Sequence, residues 1–123
     1  MNKTTTNTTK LFTISTPKCD IVCYANPCIS FSLQGDSGKS QLTTSYSYFI
    51  DGEYLDHNDP RRLFTEGVDY RGRKMTSKRG LILDCLLPDM YFKSVAEAKA
   101  CVPDLINKIN KVIEQNDLFK LKA

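Results

Sequence analysis

Long apolar runs are missing from this sequence, and it contains a single histidine. No apolar stretch approaches the roughly 18 residues that a membrane-spanning helix requires, so we expect no membrane partner. The N-terminus also lacks the apolar core and cleavage site that mark a signal peptide. Five cysteines, an odd number, without an export signal indicate a reducing compartment and free thiols. We therefore predict a cytoplasmic protein.

A second pair of metal ligands is also missing. Residues 19–28 contain three cysteines, whereas Cys85 and Cys101 are far apart in the sequence and His57 is isolated. Structural zinc sites combine two pairs of closely spaced ligands. We therefore expect no metal, and we interpret the cysteines as small buried hydrophobic residues.

No catalytic motif is complete. Residues 35–40 (Gly-Asp-Ser-Gly-Lys-Ser) have part of the composition of a phosphate-binding loop, but Leu33 stands where such a loop should begin with glycine. The alternation of residues 41–50 predicts a strand where that loop requires a helix. His57 lies among aspartates that could support a general base, but no nucleophile is placed beside it. We predict no catalytic residue, no cofactor and no enzyme activity.

The composition is that of an ordinary globular protein, with 41% hydrophobic and 25% charged residues. Residues 1–9 are rich in threonine and asparagine, and we expect them to form a flexible tail. Residues 10–123 have the length of one domain. The chain is therefore interpreted as a single globular domain with a polar N-terminal tail.

Alternating apolar and polar residues predict an antiparallel sheet of about five strands. A turn is expected at Asn26-Pro27, and Asp51-Gly52 favours a tight hairpin. The almost continuously apolar run 81–87 is typical of a strand buried on both faces. The predicted strands are 11–16, 19–24, 28–33, 41–50 and 53–56, with 81–87 as a further candidate.

Two helices are predicted. Asp59 as N-cap, Pro60 at the first helical position and Gly67 as a left-handed stop delimit a short helix near 59–67. The second helix, near 94–116, begins at a capping box and has an apolar stripe at helical spacing. With the sheet they predict an α+β fold in which the C-terminal helix packs on one face.

Pro103 interrupts this second helix and should kink or split it. Its stripe could instead contribute to a dimer seam, so a monomer and a homodimer are both considered.

The most informative feature is a charge reversal between residues 51 and 79. An acidic stretch is followed by residues 61–79, which carry seven cations against two acids, a net charge of +5 in a chain of +3 overall. Such a concentrated field attracts an anionic partner. Residues 68–80 have neither helical nor strand periodicity and are predicted to form a loop. The predicted partner-binding residues are Arg61, Arg62, Phe64, Tyr70, Arg71, Arg73, Lys74, Lys78 and Arg79.

These features favour a small non-enzymatic binding protein that engages an acidic protein partner through residues 61–79. Arginine and tyrosine are favoured anchors in such interfaces. Inhibitors and adaptors of this size are common in phages and mobile elements, and we interpret the chain as a protein of that type. The alternative is a nucleic-acid-binding module that uses the same cations and aromatic residues for phosphate contacts and stacking. A small-ligand binder or enzyme without a recognisable motif is the third interpretation, and a merely solvated loop is the simplest explanation of the charge.

Overall fold

A computed structural model describes residues 8–30 and 39–118 of the chain. The strands in these ranges are β1 (Thr9–Ser15), β2 (Asp20–Ser30), β3 (Lys39–Ile50), β4 (Glu53–Leu55), β5 (Leu63–Val68), β6 (Lys74–Ile82) and β7 (Tyr91–Phe92). The α-helices are α1 (Val95–Ala100) and α2 (Val102–Asn116), and 3₁₀ turns occupy Pro60–Arg62 and Leu83–Leu86. Residues 1–7 of the predicted tail 1–9, residues 31–38 between β2 and β3, and residues 119–123 lie outside the described ranges, whereas Thr9 belongs to β1.

Five strands form one antiparallel sheet in the order β1-β2-β3-β4, with β7 also paired to β3. The predicted hairpin between β3 and β4 is confirmed, because Ile50 pairs with Glu53 across two connecting residues. Asp51 and Gly52 have φ values of 50° and 80°, and a two-residue turn of this kind requires positive φ at both positions. Antiparallel pairing of β2 with β3 also confirms that a strand, and not a helix, follows residues 35–38.

The turn predicted at Asn26-Pro27 is wrong, because β2 continues through both residues. Pro27 pairs with Leu42 of β3, while the pairing of β2 with β1 begins only at Ala25. Around Pro27 the strand therefore has a described neighbour on one side alone. A proline without an N–H is tolerated at such an edge position.

The α+β class is confirmed, with the C-terminal helix packed against the sheet. Ser94 caps α1, its Oγ accepting from the Glu97 N–H at 3.2 Å. Pro103 lies in the first turn of α2, and the predicted split falls two residues before it, at Cys101. Contacts of α2 reach β1 and β5. The predicted stripe faces the core, where Leu105, Ile109 and Val112 are completely buried.

The predicted short helix is present but ends earlier than expected. Asp59 caps it by accepting a hydrogen bond from Arg61 N at 3.0 Å, and the chain becomes extended at Leu63. Gly67 is therefore not a left-handed stop but a residue of β5. A Cβ at Gly67 would overlap the Phe64 ring and lie 2.9 Å from Leu86 Cδ1. Close packing, and not a special φ value, requires glycine there.

The prediction of a loop over 68–80 is wrong, and so is the strand over 81–87. Residues 74–82 form β6, which pairs with β5 in a separate two-stranded sheet. The alternating pattern of β6 could not be recognised in the sequence. Its inward-facing positions include the polar Ser77, and a bulge interrupts the two-residue period of the strand. Beyond it, Leu83–Leu86 is a 3₁₀ turn that buries Leu83 and Leu86. An apolar run alone does not distinguish a buried strand from a buried helical turn.

Across the described ranges, no helix has the length and apolar character needed to span a membrane.

Candidate functional site

Most of the predicted binding residues lie on one β-hairpin, formed by β5, β6 and their connecting turn, which we call the basic hairpin. Near its tip Gly67 pairs with Met75, and near its base Phe64 pairs with Leu81. Between these stretches, residues 77–80 of β6 lie opposite Thr65 alone, so β6 carries a large bulge. The hairpin thus presents cations at two places, the tip and the bulge.

The tip is built around Asp69, whose side chain is only 1% exposed. Its Oδ1 accepts hydrogen bonds from the backbone N–H groups of Arg71 and Arg73, both at 2.9 Å. Gly72, with φ of 85°, donates its N–H to the Asp69 carbonyl at 2.9 Å. The turn residues are therefore fixed by one buried carboxylate.

The charge of this carboxylate is kept by its neighbours. Burial by itself would raise the pKa of Asp69, but the N–H groups of Arg73 and Arg71 outweigh that effect and lower the pKa below its usual value. The Arg71 guanidinium adds an ion pair at 3.2 Å and that of Arg73 a longer one at 3.7 Å. The arginines of the tip are thus partly engaged by Asp69.

Tyr70 ties the tip to the rest of the molecule. Its N–H donates to the Leu86 carbonyl at 3.0 Å. The guanidinium carbon of Arg71 lies over its ring at 5.3 Å from the ring centre, and Lys108 Nζ of α2 lies over it at 5.7 Å. These cation–π contacts occupy the ring within the molecule.

Five cationic residues of the hairpin are exposed to solvent, including the two arginines that Asp69 partly engages. The Arg71 and Arg73 side chains are 52% and 66% exposed, and the other three residues are exposed as well. Lys78 and Arg79 project from the bulge, where Ser77 Oγ accepts from the Arg79 N–H at 3.2 Å. We call the following five residues the basic surface: Arg71, Arg73, Lys74, Lys78 and Arg79.

The remaining predicted residues do not belong to this surface. Arg61 is held by Asp59, with Nε–Oδ1 and Nη2–Oδ2 distances of 2.8 and 2.5 Å. This pairing raises the pKa of Arg61 and lowers the pKa of Asp59 to about 2. Phe64 is half-buried and packs on the core. Neither side chain is presented with the five exposed cations.

Arg62 is buried, with a side chain that is 1% exposed. Its Nη2 lies 2.8 Å from Asp84 Oδ2, and its Nη1 donates to the Leu55 carbonyl at 3.0 Å. Its guanidinium also lies over the Tyr48 ring. We therefore assign Arg62 to the core of the protein and omit it from the binding surface.

Two residues that shape the hairpin were missed by sequence reasoning. Asp69 opens the run Asp-Tyr-Arg-Gly, and aspartate at the first and glycine at the fourth position are typical of a type I turn, a signal that could have located the tip. Asn116 pairs with Val68 from α2: its Oδ1 accepts from Val68 N and its Nδ2 donates to Val68 O, both at 2.6 Å. No sequence signal indicates the pairing of Asn116 with Val68, because the two residues are 48 positions apart.

The cysteines are less uniformly buried than expected. Cys19, just before β2, and Cys23 of β2 are both buried, and burial raises the pKa of Cys23 to about 12. Cys85 is exposed and Cys101 is half-buried, which corrects the expectation that all are core residues. The side chain of Cys28 lies outside the described part of the structure. Among the side chains that are described, no group of histidine, cysteine and carboxylate residues has the arrangement of a metal site.

His57 is exposed in the turn after β4. It lines a polar cavity of about 340 Å³ together with Ser45, Ser47 and Asp84. Asp84 is already engaged by Arg62 and by Tyr48, whose hydroxyl donates to Asp84 Oδ1 at 2.6 Å. The cavity also contains Asp89, but among the described residues neither carboxylate is hydrogen-bonded to the His57 imidazole as the carboxylate of a catalytic triad is.

Comparison of the chain with known protein families, with curated proteins and with solved structures found no match. Function is therefore inferred from the geometry of the basic hairpin.

Proposed function

We propose that the protein is a small non-enzymatic binding protein, of the inhibitor or adaptor type, that engages an acidic macromolecular partner through the basic surface. The observation that carries this proposal is the display of five exposed cations on one fixed hairpin. A concentrated positive field accelerates encounter with an acidic surface and opposes basic ones.

The rigidity of the hairpin supports a binding role. Asp69 fixes the backbone of the tip, and Tyr70 anchors the tip to α2 and to the Leu83–Leu86 turn. A flexible basic loop would lose conformational entropy on binding, whereas this backbone is already ordered. The cations are therefore held on a backbone that needs little further ordering when a partner binds.

An acidic protein is favoured over a nucleic acid by the position of the two aromatic residues. Stacking on single-stranded bases requires an accessible aromatic face. The Tyr70 ring is covered by cations of the same molecule, and Phe64 is half-buried. Phosphate contacts by the arginines and lysines would be the basis of a nucleic-acid-binding module, which is the alternative function.

The structure also decides which charges can be tested. Reversing Arg71 or Arg73 would place a carboxylate beside the buried Asp69 and disturb the tip itself. We therefore select Lys74, Lys78 and Arg79 for a triple change to glutamate, because all three are exposed and no ion pair of theirs is described. A matched control changes the exposed Lys10, Lys99 and Lys111, which lie on other elements.

Both variants alter the net charge equally, so a difference between them reports position and not total charge. We expect the partner recovered with the wild-type protein from its native cell to be lost with the hairpin variant and kept with the control. Equal loss in both would indicate a non-specific charge effect, and equal retention would refute the proposed surface. If the partner is nucleic acid, log affinity will fall linearly with log salt concentration with a slope near the number of phosphates contacted.

A further inference from the structure

Two residues of β6 direct their backbone N–H and C=O groups away from β5. Asp69 N donates to the Arg73 carbonyl at 2.9 Å, so Arg73 directs its backbone groups toward β5. Direction alternates along a strand, and Met75, opposite Gly67, therefore also faces β5. Lys74 and Thr76 consequently turn their N–H and C=O groups to the other side.

The outer edge of β5, on the opposite side of the hairpin, shows the same alternation, and its backbone groups at Val68 are already hydrogen-bonded. Val68 is the partner of Lys74 across the hairpin and faces away from β6. Its N–H and C=O groups are both bonded to the side-chain amide of Asn116. Within the described strands, β6 pairs with β5 alone. Among residues 8–30 and 39–118, the hairpin thus has one edge bonded to α2 and one edge that no other strand pairs with.

The side chains beside this open edge select what could pair with it. Lys74 and Thr76 are exposed on one face, and Arg73 and Lys78 flank them. Lysine on an edge strand discourages pairing with neutral strands, and like charges placed opposite each other destabilise a sheet. A second copy of β6 is therefore disfavoured, whereas a strand rich in glutamate or aspartate is attracted.

We propose that an extended acidic segment of the partner adds to β6 as a further strand. This inference rests on the proposed function and names its mode of recognition. The outward groups of Lys74 and Thr76 supply main-chain hydrogen bonds, while the neighbouring cations select acidic side chains. The bulge at 77–80 ends the regular edge, so the paired segment is short. A nucleic acid has no peptide backbone to complete such a ladder.

A proline substitution tests the backbone contact separately from the charge. Thr76→Pro removes an N–H that β5 does not use, and its ring obstructs the edge. Thr76→Ala is the matched control because it keeps the N–H. The probe is a synthetic peptide of about seven residues that alternates glutamate and valine. Loss of one hydrogen bond changes affinity about two- to tenfold, and with the obstruction we expect the proline variant to bind at least about tenfold more weakly than the alanine variant.

A measurement on the wild-type protein gives an independent check if Thr76→Pro does not fold. We expect the peptide to slow the hydrogen exchange of the Lys74 and Thr76 amides. The Met75 amide, already bonded within the hairpin, should change less. Methylation of alternate backbone nitrogens of the peptide should abolish this protection. Unchanged exchange at both outward amides, or absence of peptide binding at millimolar concentration, would overturn the proposal.

The outcomes separate this inference from the proposed function. If the triple glutamate variant of Lys74, Lys78 and Arg79 loses the peptide but Thr76→Pro binds it like Thr76→Ala, the charged surface stands and edge pairing is wrong. If the triple variant binds the peptide as tightly as the wild type, the proposed function fails. Tight binding of a single-stranded oligonucleotide by both Thr76 variants, without peptide binding, would also overturn edge pairing and favour the nucleic-acid alternative.

Discussion

The Arg62 guanidinium lies over the Tyr48 ring, 4.4 Å from its centre, and both side chains bind the carboxylate of Asp84. Burial, followed by the charge of Asp84, raises the pKa of Tyr48 well above its usual range, so its hydroxyl is a permanent donor. One cation of the basic segment thus has a structural role. It joins the Pro60–Arg62 turn to the sheet and to the Leu83–Leu86 turn.

Replacing Arg62 by alanine should strongly destabilise the protein. The change removes the buried Arg62 side chain from beside Tyr48 and leaves Asp84, which is 33% exposed, without its cation. Truncating a large buried side chain to alanine costs about 2–5 kcal/mol. Arg61→Ala is the control, because Arg61 pairs near the surface and should contribute little. Denaturant melts of the two variants measure the difference in free energy of unfolding. Equal stability of the two would show that the contacts of the buried Arg62 side chain do not stabilise the fold.

Asp69→Asn should destabilise the hairpin in a pH-dependent manner. At neutral pH the lost charge-assisted hydrogen bonds correspond to about 1.5–3 kcal/mol. The folded pKa of Asp69 is lowered, so its stabilising effect is complete above the unfolded value of about 3.9 and is lost as pH falls through the folded pKa. The stability difference between wild type and variant should therefore shrink below about pH 4. Denaturant melts over a pH series test this, and a constant difference would contradict it.

Gly67→Ala should destabilise the protein through steric overlap. The added Cβ would collide with the Phe64 ring and press on Leu86, and overpacking of this kind costs about 1–3 kcal/mol. Gly72→Asn provides the comparison, because asparagine tolerates the positive φ of the tip and nothing lies within 4 Å of the added Cβ. Thermal melts should show a larger loss for the Gly67 variant. A reversed order would place the need for glycine in the turn and not in the packing.

The cysteines should react with a thiol reagent in a definite order. Cys85 is exposed and should react first in the native protein. Cys23 is completely buried, and burial raises its pKa to about 12, so it should react only on unfolding. Mass spectrometry of partially labelled protein identifies the modified residues. Labelling of Cys23 before Cys85 would show that β2 is accessible in solution.

Local signals in the sequence located several elements correctly. Asp51-Gly52 specified its hairpin because the positive φ values depend on those two residues themselves. Ser94 marked the start of α1 and Pro103 the division between α1 and α2, because a helix cap and a proline also act on residues adjacent in the sequence. The concentration of charge in residues 61–79 also identified the surface that carries five exposed cations.

Only the tertiary structure decided how that charge is used. Arg62 could not be separated from its neighbours by sequence, because its burial depends on Tyr48 and Asp84, which lie 14 positions before and 22 positions after it. The hairpin depends on the pairing of β5 with β6, which is interrupted by a bulge. It also depends on packing so close at Gly67 that no side chain fits there. Turns and caps are determined by a few adjacent residues, whereas the burial of a charge requires partners that only the folded chain brings together.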